Sequence, residues 1–329
     1  MAPPGPSLDD VLATLRVVSI PMRVRFRGVT EREVALVEGP AGWGEFGPFL
    51  EYGPTEASRW LDAAVEAAWT GWPDPVRNSV QVNATVPAVA AEAVPALLQR
   101  FPGCTTAKVK VAERGQEPND DVCRVAAVRD AMGPSARIRV DANGAWDVDT
   151  ARDVLGRLTA YGIEYAEQPC GTVEELRDLR VVLARNGIDV PVAADESIRK
   201  AEDPLRVRDL EAADVIVIKA APLGGVRRAL QVVEECGLPA VVSSALDTSV
   251  GMAAGVALAA ALPELDHACG LGTVALLDGD VTADSLVPQD GALPVRRVVA
   301  DAELLDRHAA SPERAAWWRE RVTAAWEAR

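Results

Sequence analysis

Lys110, Asp141, Glu167, Asp195 and Lys219 each stand at the end of a short apolar run, at steps of 31, 26, 28 and 24 residues. A charge placed beside apolar sequence is costly to bury unless it pairs, binds metal or takes part in chemistry. Three carboxylates with no Cys or His cluster beside them make an all-oxygen donor set, which suits Mg2+, with Mn2+ as a tolerated substitute. Each carboxylate taken singly could instead cap the following helix. Three in step, flanked by lysines, favour the metal reading. Lys108 lies two residues before Lys110 and so shares its face of a strand. At an effective dielectric near 20, two ammonium groups ~7 Å apart repel by roughly 2.4 kcal/mol, so Lys108 would help Lys110 give up its proton and act as a base. Two opposed lysines beside a carboxylate-bound cation suit proton abstraction next to a substrate carboxylate, giving an enediolate whose charge the cation offsets.

The elements that must position these groups follow from the same spacing, since each step fits one strand plus one helix. Short β-like runs at 80–84, 106–111, 137–141, 163–167, 191–195, 215–219, 240–244 and 266–269 alternate with Ala- and Leu-rich helical segments. Eight such units predict a (β/α)8-type barrel, in which the strand ends converge on one mouth. Before them, strands are expected at 15–20, 22–26 and 33–38, then Gly-rich turns and a helix over 57–69, which together make a small α+β unit. Ser311, Pro312 and Glu313 read as a helix start, followed by Trp317, Trp318, Val322 and Trp326 on one apolar face. The expected organisation is an α+β cap over 1–78, the barrel over 79–275, and a C-terminal segment over 276–329 that returns to the cap and ends in a docked helix.

A formal net charge of -15 argues against a nucleic-acid partner, which would need clustered Lys and Arg. The short Arg-rich pieces at 23–27 and 314–321 read as solvated faces. Five scattered cysteines without a Cys-x-x-Cys pair point away from disulfides and zinc. The N-terminus carries no secretory pattern, and the uncharged stretch at 249–262 is too short to span a bilayer and reads as a buried helix. A cytoplasmic enzyme with a small-molecule carboxylate substrate and no membrane partner is expected, as a monomer with a homo-oligomer left open.

Lys-Val-Lys at 108–110, Asp141 in Val-Asp-Ala-Asn-Gly, Glu167 in Glu-Gln-Pro, Asp195 in Ala-Asp-Glu-Ser and Lys219 in Ile-Lys resemble the enolase superfamily, within its muconate lactonizing subgroup. In that family a capping domain closes over the barrel mouth. The segments at 42–54, 82–88 and 243–251 are most similar to the subgroup's o-succinylbenzoate synthase family, of menaquinone biosynthesis. That resemblance implies dehydration of 2-succinyl-6-hydroxy-2,4-cyclohexadiene-1-carboxylate, with Lys110 as base and then acid on one face. Lys219 would stabilise the enediolate, and Lys108 would tune Lys110. It further implies that Ser243 and Ser244 contact the succinyl carboxylate and that residues 42–53 form a capping loop, while Asn143 could orient groups near the metal. Turn chemistry is the alternative for the two serines and the asparagine. The same lysines would also serve an N-succinylamino acid racemase or a muconate-type cycloisomerase, and a metal-binding homologue without catalysis is the remote alternative. His267 falls at the eighth run and reads as structural.

Overall fold

The computed structural model describes residues 5–26, 28–199 and 204–329. Helix α1 (Leu8–Ala13) starts where the Ser7 hydroxyl accepts from Asp10 N and the Asp10 carboxylate accepts from Ser7 N at 2.8 Å, a reciprocal cap. Strands β1 (Arg16–Phe26), β2 (Val29–Gly39) and β3 (Gly42–Phe46) then form an antiparallel sheet in chain order. The two first strands expected from sequence are one, running through Pro21 on the sheet edge, where a missing N–H costs no ladder bond. The expected Gly-rich turn over 42–46 is the third strand, so only the remainder of the expected capping loop is loop. Gly44 serves close packing, since a Cβ there would lie 2.2 Å from Ala64 O. That approach seats helix α2 (Pro54–Val65) on the sheet, and a single π turn over Glu66–Thr70 continues it.

The short strand β4 (Ser79–Gln81) leads into β5 (Ala84–Val86), α3 (Val94–Leu98), β6 (Thr106–Lys110), α4 (Pro118–Met132), β7 (Arg137–Asp141), α5 (Val148–Leu158), β8 (Ile163–Glu167) and α6 (Val173–Arg185). There follow β9 (Val192–Ala194), the short helices α7 (Glu196–Arg199) and α8 (Arg206–Asp209), β10 (Val215–Ile218), α9 (Val226–Cys236), β11 (Ala240–Val242) and α10 (Ser249–Ala261). Strands β5 to β11 form one parallel sheet in chain order. The eighth run contributes parallel bridges rather than a strand, Ser243 to Gly270 on one side and Val82 to Cys269 on the other, so the sheet curls into an α/β barrel. The first run is corrected as well. Residues 79–81 pair antiparallel with β12 (Ala292–Pro294), and the barrel strand begins only at Ala84. Buried Asn83 separates the two, its side-chain amide donating to Ala84 O at 2.9 Å, a local bond that competes with the ladder.

Period-two alternation decides what faces the lumen. Tyr165, Ala193, Val215, Val217 and Val241 make a small separate core inside the barrel, and the charged residues stand above it. Outside, α10 is buried nearly all round, as the uncharged stretch predicts. The chain ends in α11 (Ala302–Arg307) and α12 (Pro312–Glu327), the latter capped by Ser311 with Pro312 at its first position. Trp318 and Val322 of α12 are fully buried, and Trp318 meets Phe46 edge-on at 5.8 Å while its indole N–H donates to Glu33 at 2.9 Å. The arginines of this helix are not simply a solvated face. Arg314 pairs with Glu33 at 2.6 Å, and Arg321 donates to the carbonyls of Pro48, Phe49 and Tyr52 at 3.2, 2.6 and 3.0 Å. Desolvation and the nearby Arg32 charge push Arg321 down to about 10.

Candidate active site

Lys110, Asp141 and Glu167 are lateral neighbours in the ladder, each opposite the next across β6, β7 and β8. Asp195 follows β9 directly, and Lys219 follows β10. Lys108, Lys110, Asp141, Asn143, Asp195, Lys219, Ser243 and Ser244 all line one cavity. The cap contributes Phe26 from the end of β1 and Phe49 from the loop after β3, and Thr85, Leu246 and Thr273 complete the lining. The two lysines predicted to face each other stand four strands apart, which in an eight-unit barrel is across the mouth.

The charges are buried and mutually paired. Lys110 Nζ donates to Asp141 at 2.6 Å, and Lys108 Nζ donates to the two Glu167 oxygens at 3.0 and 3.3 Å while standing 3.6 Å from Asp141. Lys219 donates to one Asp195 oxygen, and Arg199 Nε to the other at 3.1 Å. Burial pulls Lys108 down, but attraction to Glu167 and Asp141 outweighs it and holds the ammonium above the ordinary lysine range. For Lys219 burial dominates over Asp195, with Arg199 adding to the effect, and its affinity for a proton is lowered. Burial and repulsion from Asp141 raise Glu167 to about 7 against the pull of Lys108. Asp141 and Asp195 go the other way, because their cationic neighbours overcome the cost of burial.

The sequence-predicted substrate contacts are arranged unevenly. Ser243 Oγ accepts from Lys108 at 3.3 Å. Ser244 is turned to the wall, donating to Gly270 O at 2.8 Å and sharing a hydrogen with Thr273 at 2.9 Å. Asn143 has a left-handed backbone, φ 48°, that folds it back over Asp141, to which its N–H donates at 3.0 Å. Its side chain accepts from Lys110 and donates to Glu196 at 3.2 Å, so it is a partner of the lysine as well as a turn residue. His267 stands outside the cavity lining, its Nδ1 3.1 Å from Glu164.

Two supports escaped the sequence reading. Arg199 lies one helical turn after Asp195, an i,i+4 spacing that could have flagged the pair, and it also donates to the Tyr52 hydroxyl of the cap at 3.0 Å. Buried Gln168, also left-handed at φ 39°, accepts from Asp195 N and Ser197 N at 3.0 and 3.1 Å and so sets where the Asp195 carboxylate points.

With each carboxylate turned to a cationic side chain, no trio of His, Cys, Asp or Glu among the described residues closes to metal-ligand spacing. The donor set still fits a hard divalent cation. Asp141, Glu167 and Asp195 are almost wholly buried, come from consecutive strands, and offer only oxygen.

The family described as Enolase C-terminal domain-like matches residues 88–298, and the one described as Enolase N-terminal domain-like matches residues 17–68. Among curated proteins, the chain is 60% identical over 317 residues to the o-succinylbenzoate synthase of Thermobifida fusca, covering 95% of this chain and 97% of the relative. It is 58% identical over 320 residues to that of Mycolicibacterium smegmatis, covering 97% of each. Similar solved structures include the muconate lactonizing enzyme of Pseudomonas fluorescens complexed with muconolactone, at TM-score 0.75 and 22% identity over 90% of this chain and 98% of that one. Another is the N-succinyl Arg/Lys racemase of Bacillus cereus, at TM-score 0.73 and 19% identity over 90% and 96%. The likeness to these structures shows the barrel-and-cap fold, and the near full-length identity to the curated relatives narrows it further: the chain belongs to the o-succinylbenzoate synthase family of the enolase superfamily.

Proposed function

We propose that the protein is a hydro-lyase that dehydrates 2-succinyl-6-hydroxy-2,4-cyclohexadiene-1-carboxylate to o-succinylbenzoate, in a Mg2+-dependent step of menaquinone biosynthesis. The observation that carries the reading is three lysines and two buried carboxylates, Asp141 and Asp195, on one cavity, with buried Glu167 held by Lys108 behind it, in a chain 60% identical to a curated synthase.

Asp141, Glu167 and Asp195 would hold the cation. When bound, Mg2+ supplies positive charge to substrate carboxylate oxygens, where negative charge develops. Lys110 Nζ takes the proton from the ring carbon that bears the carboxylate, leaving an enediolate. Lys108, held in its charged form by Glu167 and Asp141, disfavours a second ammonium at Lys110 and so keeps the base available. The enediolate then collapses as the C–O bond to the ring hydroxyl breaks, and Lys110 returns its proton to that leaving oxygen on the same face. The products are the aromatic ring and water, so no oxidant is needed. Lys219, across the mouth, offsets the enediolate charge in a cavity lined by Phe26 and Phe49, apolar walls beside which such a charge is weakly screened. Ser243 and Ser244 would meet the succinyl carboxylate at the seventh strand end.

The reaction is followed by the appearance of the aromatic chromophore. Purified protein with Mg2+ is expected to turn over the cyclohexadiene, and excess EDTA to stop it. Equal rates with EDTA would defeat the metal assignment. The opposed placement of Lys219 also permits a 1,1-proton transfer, the N-succinylamino acid racemase reading. Deuterium uptake by single enantiomers of N-succinylamino acids in D2O, at a rate comparable with dehydration, would support that second activity.

A further inference from the structure

Arg32 lies on β2 of the cap, well away from the barrel strands that carry the lysines, and is 3% exposed. A buried guanidinium persists only where its fork of N–H groups is satisfied. Here the fork reaches into two different loops. Nε donates to Leu246 O at 2.9 Å, one terminal nitrogen donates to Gly47 O and to Ala245 O at 3.3 Å, and the other to Glu33 O at 3.3 Å. The guanidinium carbon also stands 5.0 Å from the centre of the Phe49 ring. Gly47 and Phe49 belong to the cap loop, Ala245 and Leu246 to the loop that follows the seventh barrel strand, and Phe49, Ala245 and Leu246 all line the cavity.

Both loops are shaped for this contact. A Cβ on Gly47 would lie 2.8 Å from the Arg32 terminal nitrogen, so glycine lets the guanidinium reach that carbonyl. Leu246 takes a left-handed φ of 62°, a costly choice for a branched side chain, while its carbonyl accepts from Arg32. Glu45 adds a second tie from the cap, accepting from Thr248 Oγ1 at 2.5 Å and from Gly251 N at 3.2 Å at the start of α10.

We propose that Arg32 is a positioning residue that sets substrate affinity by pinning the cap loop and the seventh-strand loop to each other over the cavity. The inference rests on the reading of that cavity as the seat of the dehydration. The test is Arg32→Lys, which keeps the buried charge but offers a compact ammonium in place of the planar fork that serves both loops. Two readouts are taken: steady-state kinetics at saturating Mg2+, and amide hydrogen exchange of the metal-free protein. We expect KM to rise roughly tenfold with kcat changed less than about threefold, the pattern for lost binding contacts of a few hydrogen bonds. Exchange should accelerate within 47–52 and 243–248 while the barrel strands keep wild-type protection. Gly47→Ala, which crowds the guanidinium from the other side, should move KM in the same direction. Unchanged KM with unchanged exchange would overturn the proposal, as would exchange accelerated throughout the chain. If the wild type itself fails to dehydrate the substrate, the functional reading falls, while the exchange arm still shows whether Arg32 pins the two loops.

Discussion

The chain contains four lysines, and three of them, Lys108, Lys110 and Lys219, line a single cavity, while arginine supplies its other thirty cationic side chains. An arginine cannot give up its proton near neutrality, whereas a lysine can when burial or a like charge lowers its affinity. On the proposed mechanism, lysine is thus kept where a proton must move, or where a compact charge must face a developing anion. That bias was countable in the sequence, and it singles out the charges of the cavity better than their apolar surroundings do. That mechanism gives the two opposed lysines different tasks. Lys219→Met removes a charge that, beyond its pair with Asp195, the proposed mechanism needs once the enediolate forms. It should therefore lower kcat by about 10² to 10³ while leaving KM within a fewfold. Rates at varied substrate check this, and a rise in KM alone would assign Lys219 to ground-state binding.

The elements that carry these residues show what could be read in advance and what could not. The barrel strands were legible because each is a short apolar run ending in a polar group, and Lys110, Asp141 and Glu167 fall where the ladder places them side by side. Strand β3 was hidden. Gly42, Gly44 and Gly47 have the composition of a turn, but only Gly42 takes a turn's positive φ, 126°; the need for glycine at Gly44 and Gly47 comes from helix α2 and from Arg32, partners that no local pattern reveals. The first barrel strand was misplaced by three residues or so because Val80 and Val82 look like barrel sequence, whereas β4 pairs with β12 from more than 200 residues away. Nor did the charge pattern at 314–321 disclose that Arg321 would hold the cap loop by three carbonyls. Gly44→Ala tests the packing explanation. With a Cβ 2.2 Å from a backbone oxygen, it should destabilise the protein by about 2 to 4 kcal/mol, read as a lower midpoint in urea. An unchanged midpoint would show that α2 can simply shift.

At the scale of the whole molecule, a net charge of -15 coexists with a buried set of carboxylates whose proton affinities are driven apart. Glu45, at the junction of cap and barrel, is raised from 4.5 to about 8 by burial and by Asp247, against the pull of Arg32. A raised folded-state value means that the native protein binds this proton more tightly than the unfolded chain, so stability is lost as pH rises from about 4.5 through 8. Asp141 and Asp195 are lowered, and their contribution is lost only as pH falls below the ordinary carboxylate range. The thermal midpoint of the metal-free protein is therefore expected to fall between pH 5 and pH 8. Glu45→Gln should flatten part of that fall, and an identical slope in the variant would contradict the assignment. All of this surrounds one cavity in which cap and barrel meet around Lys110, the base of the proposed reaction. The most direct test of that account is the initial rate of aromatic product formation by Lys110→Ala at saturating Mg2+, with circular dichroism confirming the fold. Loss of the general base predicts a rate lower by about 10³-fold or more, and a folded variant within tenfold of wild type would show that Lys110 is not the residue that takes the proton.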